Sequence, residues 1–147
     1  MNNLVDLKNL KNKKILVTGA TGFLGKHLSN VLLESNKNLK LGCTIHAMGL
    51  NKPRIDLTKT FDLSGYDYVF HAAGYGQPAK FIDDPSSLVK INVDATVRLL
   101  EGSPKATFVF FSSAEVYGDI PKELIPVKED CNGDSPLHTP RSVYAES

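Results

Sequence analysis

The sequence predicts an α/β domain built on a doubly wound parallel sheet. Three observations carry that prediction. Short apolar, β-branched segments alternate along the chain with segments whose apolar residues recur at helical spacing. The first such strand runs directly into a glycine-rich turn and then a helix. The composition, 147 residues of which 41% are hydrophobic and 22% charged, suits one globular domain able to bury a core. Strands separated by helices imply right-handed crossovers, which make the strands parallel and lay helices on the sheet.

Lys14 to Thr18 (KILVT) is a short β-branched run bounded by Gly19, the pattern of a buried parallel strand. Phe23 to Glu34 carries Leu24, Leu28, Val31 and Leu32 at the spacing of one helix face. Leu41 to Met48 predicts a second strand, Tyr68 to Ala72 a third and Thr107 to Phe111 a fourth. Between the last two, Pro85 to Leu100 predicts a helix, with Leu88, Ile91, Val97 and Leu100 on or near one face. Gly118 to Thr139, rich in Pro, Asp and Gly, is a long surface loop, and loops of that length in compact domains are more often functional than idle. Pro140 to Ser147 starts a helix whose apolar face has nothing left to pack on. The expectation is therefore an N-terminal arm over 1–13 and a domain over 14–147, truncated before its end, in a longer protein.

Charge and cysteine content exclude several classes. Lys+Arg number 17 against 16 Asp+Glu, a net charge of +1, which gives no electrostatic reason to expect nucleic acid or a membrane surface as partner. The N-terminal segment is polar and basic, without the apolar centre of a signal peptide. No apolar run approaches the roughly 18 residues that span a bilayer. Cys43 and Cys131 are too few and too far apart for a disulfide framework or a metal site. The expectation is a soluble, cytoplasmic protein with reduced thiols and no metal.

Chemistry enters at Thr18-Gly19-Ala20-Thr21-Gly22-Phe23-Leu24-Gly25. A glycine triplet alone says little; here it has the strand–turn–helix context that a dinucleotide-binding turn requires. Gly19 permits the tight turn, Gly22 lets the backbone approach a pyrophosphate, and Gly25 lets helix and strand pack closely. The helix that follows aims its free amides, near Phe23 and Leu24, at the phosphates. Gly19, Thr21, Gly22, Phe23, Leu24 and Gly25 are the candidate cofactor contacts of this turn, and the ligand is NAD or NADP.

The spacing Gly-x-x-Gly-x-x-Gly resembles that of the extended short-chain dehydrogenase/reductases, specifically the NAD-dependent epimerase/dehydratase family of nucleotide-sugar enzymes, whose sheet is Rossmann-like. Further segments carry the resemblance along nearly the whole chain. His71-Ala72-Ala73-Gly74 is similar to the family's segment beside the nicotinamide-side ribose. Asp83-Asp84-Pro85 and Asn92-Val93 match the family's spacing, and Ser112-Ser113-Ala114-Glu115-Val116-Tyr117-Gly118 is similar to its active-site serine segment. Tyr144 stands where the family has Tyr-x-x-x-Lys, whose lysine would fall one position past Ser147. The resemblance implies that Ala72, Ala73, Gly74, Asn92, Ser112 and Tyr144 also face the cofactor. It implies that Tyr144 is the acid/base and that Ser113 hydrogen-bonds the reacting sugar oxygen. It implies further a nucleotide-sugar substrate and a homodimer in the full-length protein. A tyrosine with an ordinary pKa near 10 serves as a base at neutral pH only beside a cation, which is the role of the family's lysine.

Glu115 narrows the reaction. The family's 4,6-dehydratases and UDP-glucuronate decarboxylases carry a Glu within Ser/Thr-x-Glu-Val-Tyr-Gly. Such a carboxylate can remove a proton, or steer loss of a carboxylate, next to a transient 4-keto group. The dehydratases place an Asp before it where this chain has Ala114, whereas Gln77-Pro78 and the stretch from Glu129-Asp130 to Pro140-Arg141 resemble the decarboxylases. The resemblance thus implies the cofactor-binding portion of an epimerase, dehydratase or decarboxylase that works by transient oxidation at C4. The alternatives are an NADP-dependent nucleotide-sugar reductase and a non-catalytic dinucleotide sensor. NAD-binding relatives end the second strand with an acid, but here Ala47-Met48-Gly49-Leu50-Asn51 is followed by Lys52 and Arg54, which suit a 2′-phosphate. Asp56-Leu57, similar to the family's pair at the adenine, arrives so soon that the usual intervening helix is absent or reduced to a turn. NAD and NADP both remain open.

Overall fold

The computed structural model describes residues 7–49, 59, 62–76, 82–131, 133, 138 and 142–147. The strands are β1 (Lys14–Thr18), β2 (Thr44–Met48), β3 (Tyr68–His71) and β4 (Thr107–Phe110). The helices are α1 (Phe23–Asn38), α2 (Pro85–Val89), α3 (Ala95–Gly102) and the single turn α4 (Ser142–Ala145). All four strands are parallel, in the order β2-β1-β3-β4, with Thr18 opposite both Met48 and His71, and His71 opposite Phe110.

Alternation along β1 explains the two faces. Ile15 and Val17 point to one side, where they pack with Leu28 and Leu32 of α1 and with Ile45 and Phe70. Leu16 points to the other, where it meets Val69, Leu63 and Leu99 of α3. Helices on both sides make the doubly wound arrangement that the sequence predicts. Three salt- and hydrogen-bonded links pin the amino-terminal edge. Asp67 accepts from the Lys13 ammonium and from the Lys14 amide, both at 2.8 Å, and the Leu63 amide donates to the Gly102 carbonyl at 2.9 Å. The Lys13 ammonium and the bond from the Lys14 amide hold the Asp67 carboxyl below the usual carboxylate range.

The structure departs from the expectation in one element and trims others. α1 runs one turn past Glu34, to Asn38; β1 has the predicted bounds, β2 starts at Thr44 rather than Leu41, and β3 and β4 each end one residue early. The helix expected over Pro85 to Leu100 is interrupted: a π-helical turn, Lys90–Asp94, separates α2 from α3. Within it the Thr96 hydroxyl donates to the Asn92 carbonyl at 2.5 Å, and side-chain bonding of that kind bends helices. π turns of this sort are frequent at functional sites. Start signals agree with the sequence: Pro85 is at the first position and the Asp84 carboxylate caps the Ser87 amide at 3.1 Å.

Candidate functional site

Strand order alone selects a location. The chain moves from β1 outward to β2, then returns to β3 on the opposite side of β1. Ligands of open α/β sheets sit at such a reversal, outside the carboxyl ends of the strands. The segments that leave those ends are Gly19–Gly25 from β1, Ala72–Gly76 from β3 and Phe111–Tyr117 from β4.

The glycine turn is built as its spacing requires. Gly19 has φ +70°, and a Cβ there would stand 2.5 Å from the carbonyl of Ala72 and the amide of Ala73, so the two segments touch through their backbones. A Cβ on Gly25 would collide with the Gly19 carbonyl oxygen. Gly22 is different. Its φ of −78° suits any residue, and a Cβ there would meet the Gly19 carbonyl oxygen at 3.2 Å, tighter than ordinary van der Waals contact but far looser than at Gly19 or Gly25. Gly22 caps α1 without a side-chain hydrogen bond, so the first amides of that helix face outward with Phe23 and Leu24 exposed beside them. A helix start with no side-chain cap and no side chain at its first glycine leaves its backbone bare for a phosphate-bearing ligand.

The position that follows the second strand is crowded. A Cβ on Gly49 would stand 2.7 Å from the Thr21 side chain and 2.9 Å from its amide, so the position following β2 is closed to a carboxylate. Sequence reasoning missed this crowding between Thr21 and Gly49, because it arises between two loops. Asp56 and Leu57, with Lys52 and Arg54, lie outside the described residues, as do Gln77, Pro78, Pro140 and Arg141.

Beyond β3, Gly74 and Gly76 adjoin side chains from distant elements. A Cβ on Gly74 would stand 3.7 Å from Asn92 Oδ1, and one on Gly76 would stand 3.5 Å from the Tyr144 hydroxyl. Asn92 Oδ1 accepts from the Tyr75 amide at 2.9 Å, and its Nδ2 donates to Ser147 Oγ at 3.2 Å. Ser147 Oγ in turn donates to the Tyr144 carbonyl at 3.2 Å. The π turn and α4 are therefore joined through one asparagine. Beyond β4, Ser113 accepts from the Glu115 amide at 3.2 Å and so starts a 3-10 turn, Ala114–Tyr117. That bond uses the Ser113 lone pairs and leaves its hydroxyl proton for a ligand oxygen. Glu115 and Tyr144 are half-buried, and α4 packs against the turn that carries Glu115. Ser112 is exposed at the same edge.

His71, fully buried at the end of β3, is held between the hydroxyls of Thr18 and Thr96, and burial pushes its pKa down to about 4. Among the described residues no group of three His, Cys, Asp or Glu side chains converges on a metal-sized site. Cys43 and Cys131 are free thiols, and no described helix is long and apolar enough to cross a membrane.

A doubly wound parallel sheet with a glycine turn at its switch point defines a nucleotide-binding class of α/β domain. The particular family follows from comparison. The sequence profile of the NAD dependent epimerase/dehydratase family matches residues 15–147, and the chain belongs to that family. It is 30% identical over 141 residues to GDP-6-deoxy-D-mannose reductase of Pseudomonas aeruginosa, a match covering 92% of this chain and 43% of the reductase. The structure of RMD from Pseudomonas aeruginosa complexed with NADPH superposes with a TM-score of 0.70 at 28% identity, over 92% of this chain and 45% of that one. UDP-glucuronic acid 4-epimerase from Bacillus cereus in complex with NAD superposes with a TM-score of 0.62 at 28% identity, over 91% of this chain and 49% of that one. The chain thus spans less than half the length of the proteins it resembles.

Proposed function

We propose that this chain is the cofactor-binding portion of an NAD(P)-dependent nucleotide-sugar enzyme that works by transient oxidation at C4 of the sugar. The observation that supports it most is Gly22: its backbone conformation does not require glycine and a single contact, the Gly19 oxygen at 3.2 Å, crowds a Cβ there, whereas a pyrophosphate over the start of α1 needs the backbone bare. Gly19, Thr21, Phe23, Leu24 and Gly25 complete the cradle, and Ala72, Ala73, Gly74, Asn92 and Ser112 line its nicotinamide side. The dinucleotide, when bound, supplies the hydride acceptor and donor. Tyr144 takes the proton of the 4-hydroxyl, and Ser113 donates a hydrogen bond to the same oxygen. Glu115 acts afterwards, on the proton or carboxylate beside the new ketone. Exposed Val89, Val97 and Leu100 on the outer side of α2 and α3 support a homodimer of the whole protein.

The end of β2 favours a second reading, an NADP-dependent reductase, because Ala47-Met48-Gly49-Leu50-Asn51 carries no acid to hold a free ribose 2′-hydroxyl and Gly49 is too crowded to accept one. Titration calorimetry tests both. The chain should bind NAD(H) or NADP(H), and Gly22→Val should abolish binding with only a small drop in melting temperature. Unaltered affinity in that variant refutes the placement. Tighter binding of NADP than NAD selects the reductase reading; the reverse order selects the first.

A further inference from the structure

His71 is 1% exposed and belongs to none of the groups given a role above. Its Nδ1 lies 2.6 Å from Thr18 Oγ1 and its Nε2 lies 3.0 Å from Thr96 Oγ1, between the rings of Phe108 and Phe110. Counting protons fixes their positions. Thr96 Oγ1 is 2.5 Å from the Asn92 carbonyl oxygen, which can only accept, so the Thr96 proton lies on that line. The Thr96 oxygen can then only accept from His71, and Nε2 must carry the ring proton. Nδ1 of that tautomer is bare, so the Thr18 hydroxyl donates to it. The lone pairs left on Thr18 face the Ala73 amide at 3.4 Å. One direction runs from end to end: Ala73 N–H, Thr18, His71, Thr96, Asn92 carbonyl.

Both ends of this chain of bonds lie at the site. Ala73 touches the glycine turn through Gly19, and Asn92 reaches Tyr75 and, by way of Ser147, the turn that holds Tyr144. We propose that His71 is a positioning residue which, as the neutral tautomer protonated on Nε2, holds the Asn92 π turn in register with the glycine turn. This deepens the function proposed above, and its consequence for cofactor affinity rests on that reading. The hydrogen-bond chain itself does not. Burial supports it by keeping the imidazole neutral well below pH 7. A second proton on Nδ1 would oppose the Thr18 donor and break the sequence of bonds.

Long-range proton–nitrogen correlation spectra of the 147-residue chain read the tautomer directly. The expected result is a proton on Nε2, a bare Nδ1 and no titration between about pH 7.5 and 5.5. A proton on Nδ1, or a ring titrating near the ordinary value of 6.5, overturns the proposal. Thr96→Val removes the acceptor while keeping the side chain's shape. It should move the Asn92 side-chain amide and Tyr75 backbone amide resonances and weaken dinucleotide binding by on the order of tenfold, with Thr96→Ser restoring both. Unmoved Asn92 and Tyr75 signals, or a serine variant no better than valine, also overturn it. If Thr96→Val does not fold, the native tautomer decides. Absence of any NAD or NADP binding by the native chain sinks the functional reading alone, since these spectra are recorded without ligand.

Discussion

Gly22 and Gly25 stand three positions apart in one turn and should fail in different ways when replaced. A side chain on Gly25 meets the backbone oxygen of Gly19, which cannot swing aside. Gly25→Ala should therefore lower stability by about 1–3 kcal/mol, visible as a drop in melting temperature, and weaken dinucleotide binding as a consequence. Gly22→Val, crowded by the Gly19 oxygen alone at 3.2 Å, should lose binding with a smaller drop in melting temperature than Gly25→Ala. Tyr144 and Glu115 should separate two chemical steps in the whole protein. Tyr144→Phe should abolish both reduction of the nicotinamide and product formation, because oxidation itself needs the base. Glu115→Gln should still give reduced nicotinamide in a single turnover, with the following step slowed by about a hundred- to ten-thousand-fold. Rapid-mix absorbance at the reduced-nicotinamide band, with product analysis, measures both. Product at the native rate from Glu115→Gln would make that glutamate structural and leave an epimerase or reductase.

At the scale of elements, α3 is anchored to the sheet through Leu99, which is fully buried against Leu16, Val69 and Leu63. Leu99→Ala should cost about 2–5 kcal/mol, read as a shift in the denaturant midpoint without a change in slope. The same segment shows where periodicity loses resolution. Leu88, Ile91, Val97 and Leu100 read as one continuous helix face, but the π turn adds one residue and shifts the face, so that Leu88, Ala95 and Leu99 are buried while Val97 and Leu100 are exposed. The bulge is set instead by the Thr96 hydroxyl folding back on the Asn92 carbonyl and by the Asn92 amide reaching the loop after β3. A Thr four residues after an Asn is too common a pattern to announce that on its own.

For the molecule as a whole, acid should act in two windows. His71 has its folded pKa lowered to about 4 from 6.5, and its surroundings from β1, α3 and β4 are hydroxyls and aromatic rings, with burial as the cause. Above pH 6.5 both folded and unfolded forms are neutral. As pH falls from there, the unfolded chain takes up a proton that the folded one refuses, so stability declines until about pH 4, by at most about 3 kcal/mol. Asp67 and Asp84 have folded pKa values held below the usual carboxylate range, by Lys13 and by the Ser87 bond respectively, and their contribution is lost only as pH falls through that lower range. Denaturant unfolding as a function of pH measures this, and His71→Asn should flatten the first window. A melting profile with no decline between pH 6.5 and 4 would contradict the burial of His71.

The four strands and the glycine turn are legible in the sequence. Those follow from local rules: alternation along Lys14–Thr18, β-branched content, and glycines at the positions where a side chain would strike backbone. It also carried the candidate residues Ser113, Glu115 and Tyr144, through their resemblance to a family's segments. What these residues meet depends on the assembled fold. Thr18 and His71 are separated by 53 positions, and His71 and Thr96 by 25, so their hydrogen bonds exist only once β1, β3 and the π turn have found their register. Tyr144 lies against Gly76, and Thr21 closes the place of an acid at Gly49, for the same reason. Strand propensity is written in neighbouring residues, whereas the direction of a proton along five groups depends on distances that no stretch of sequence contains.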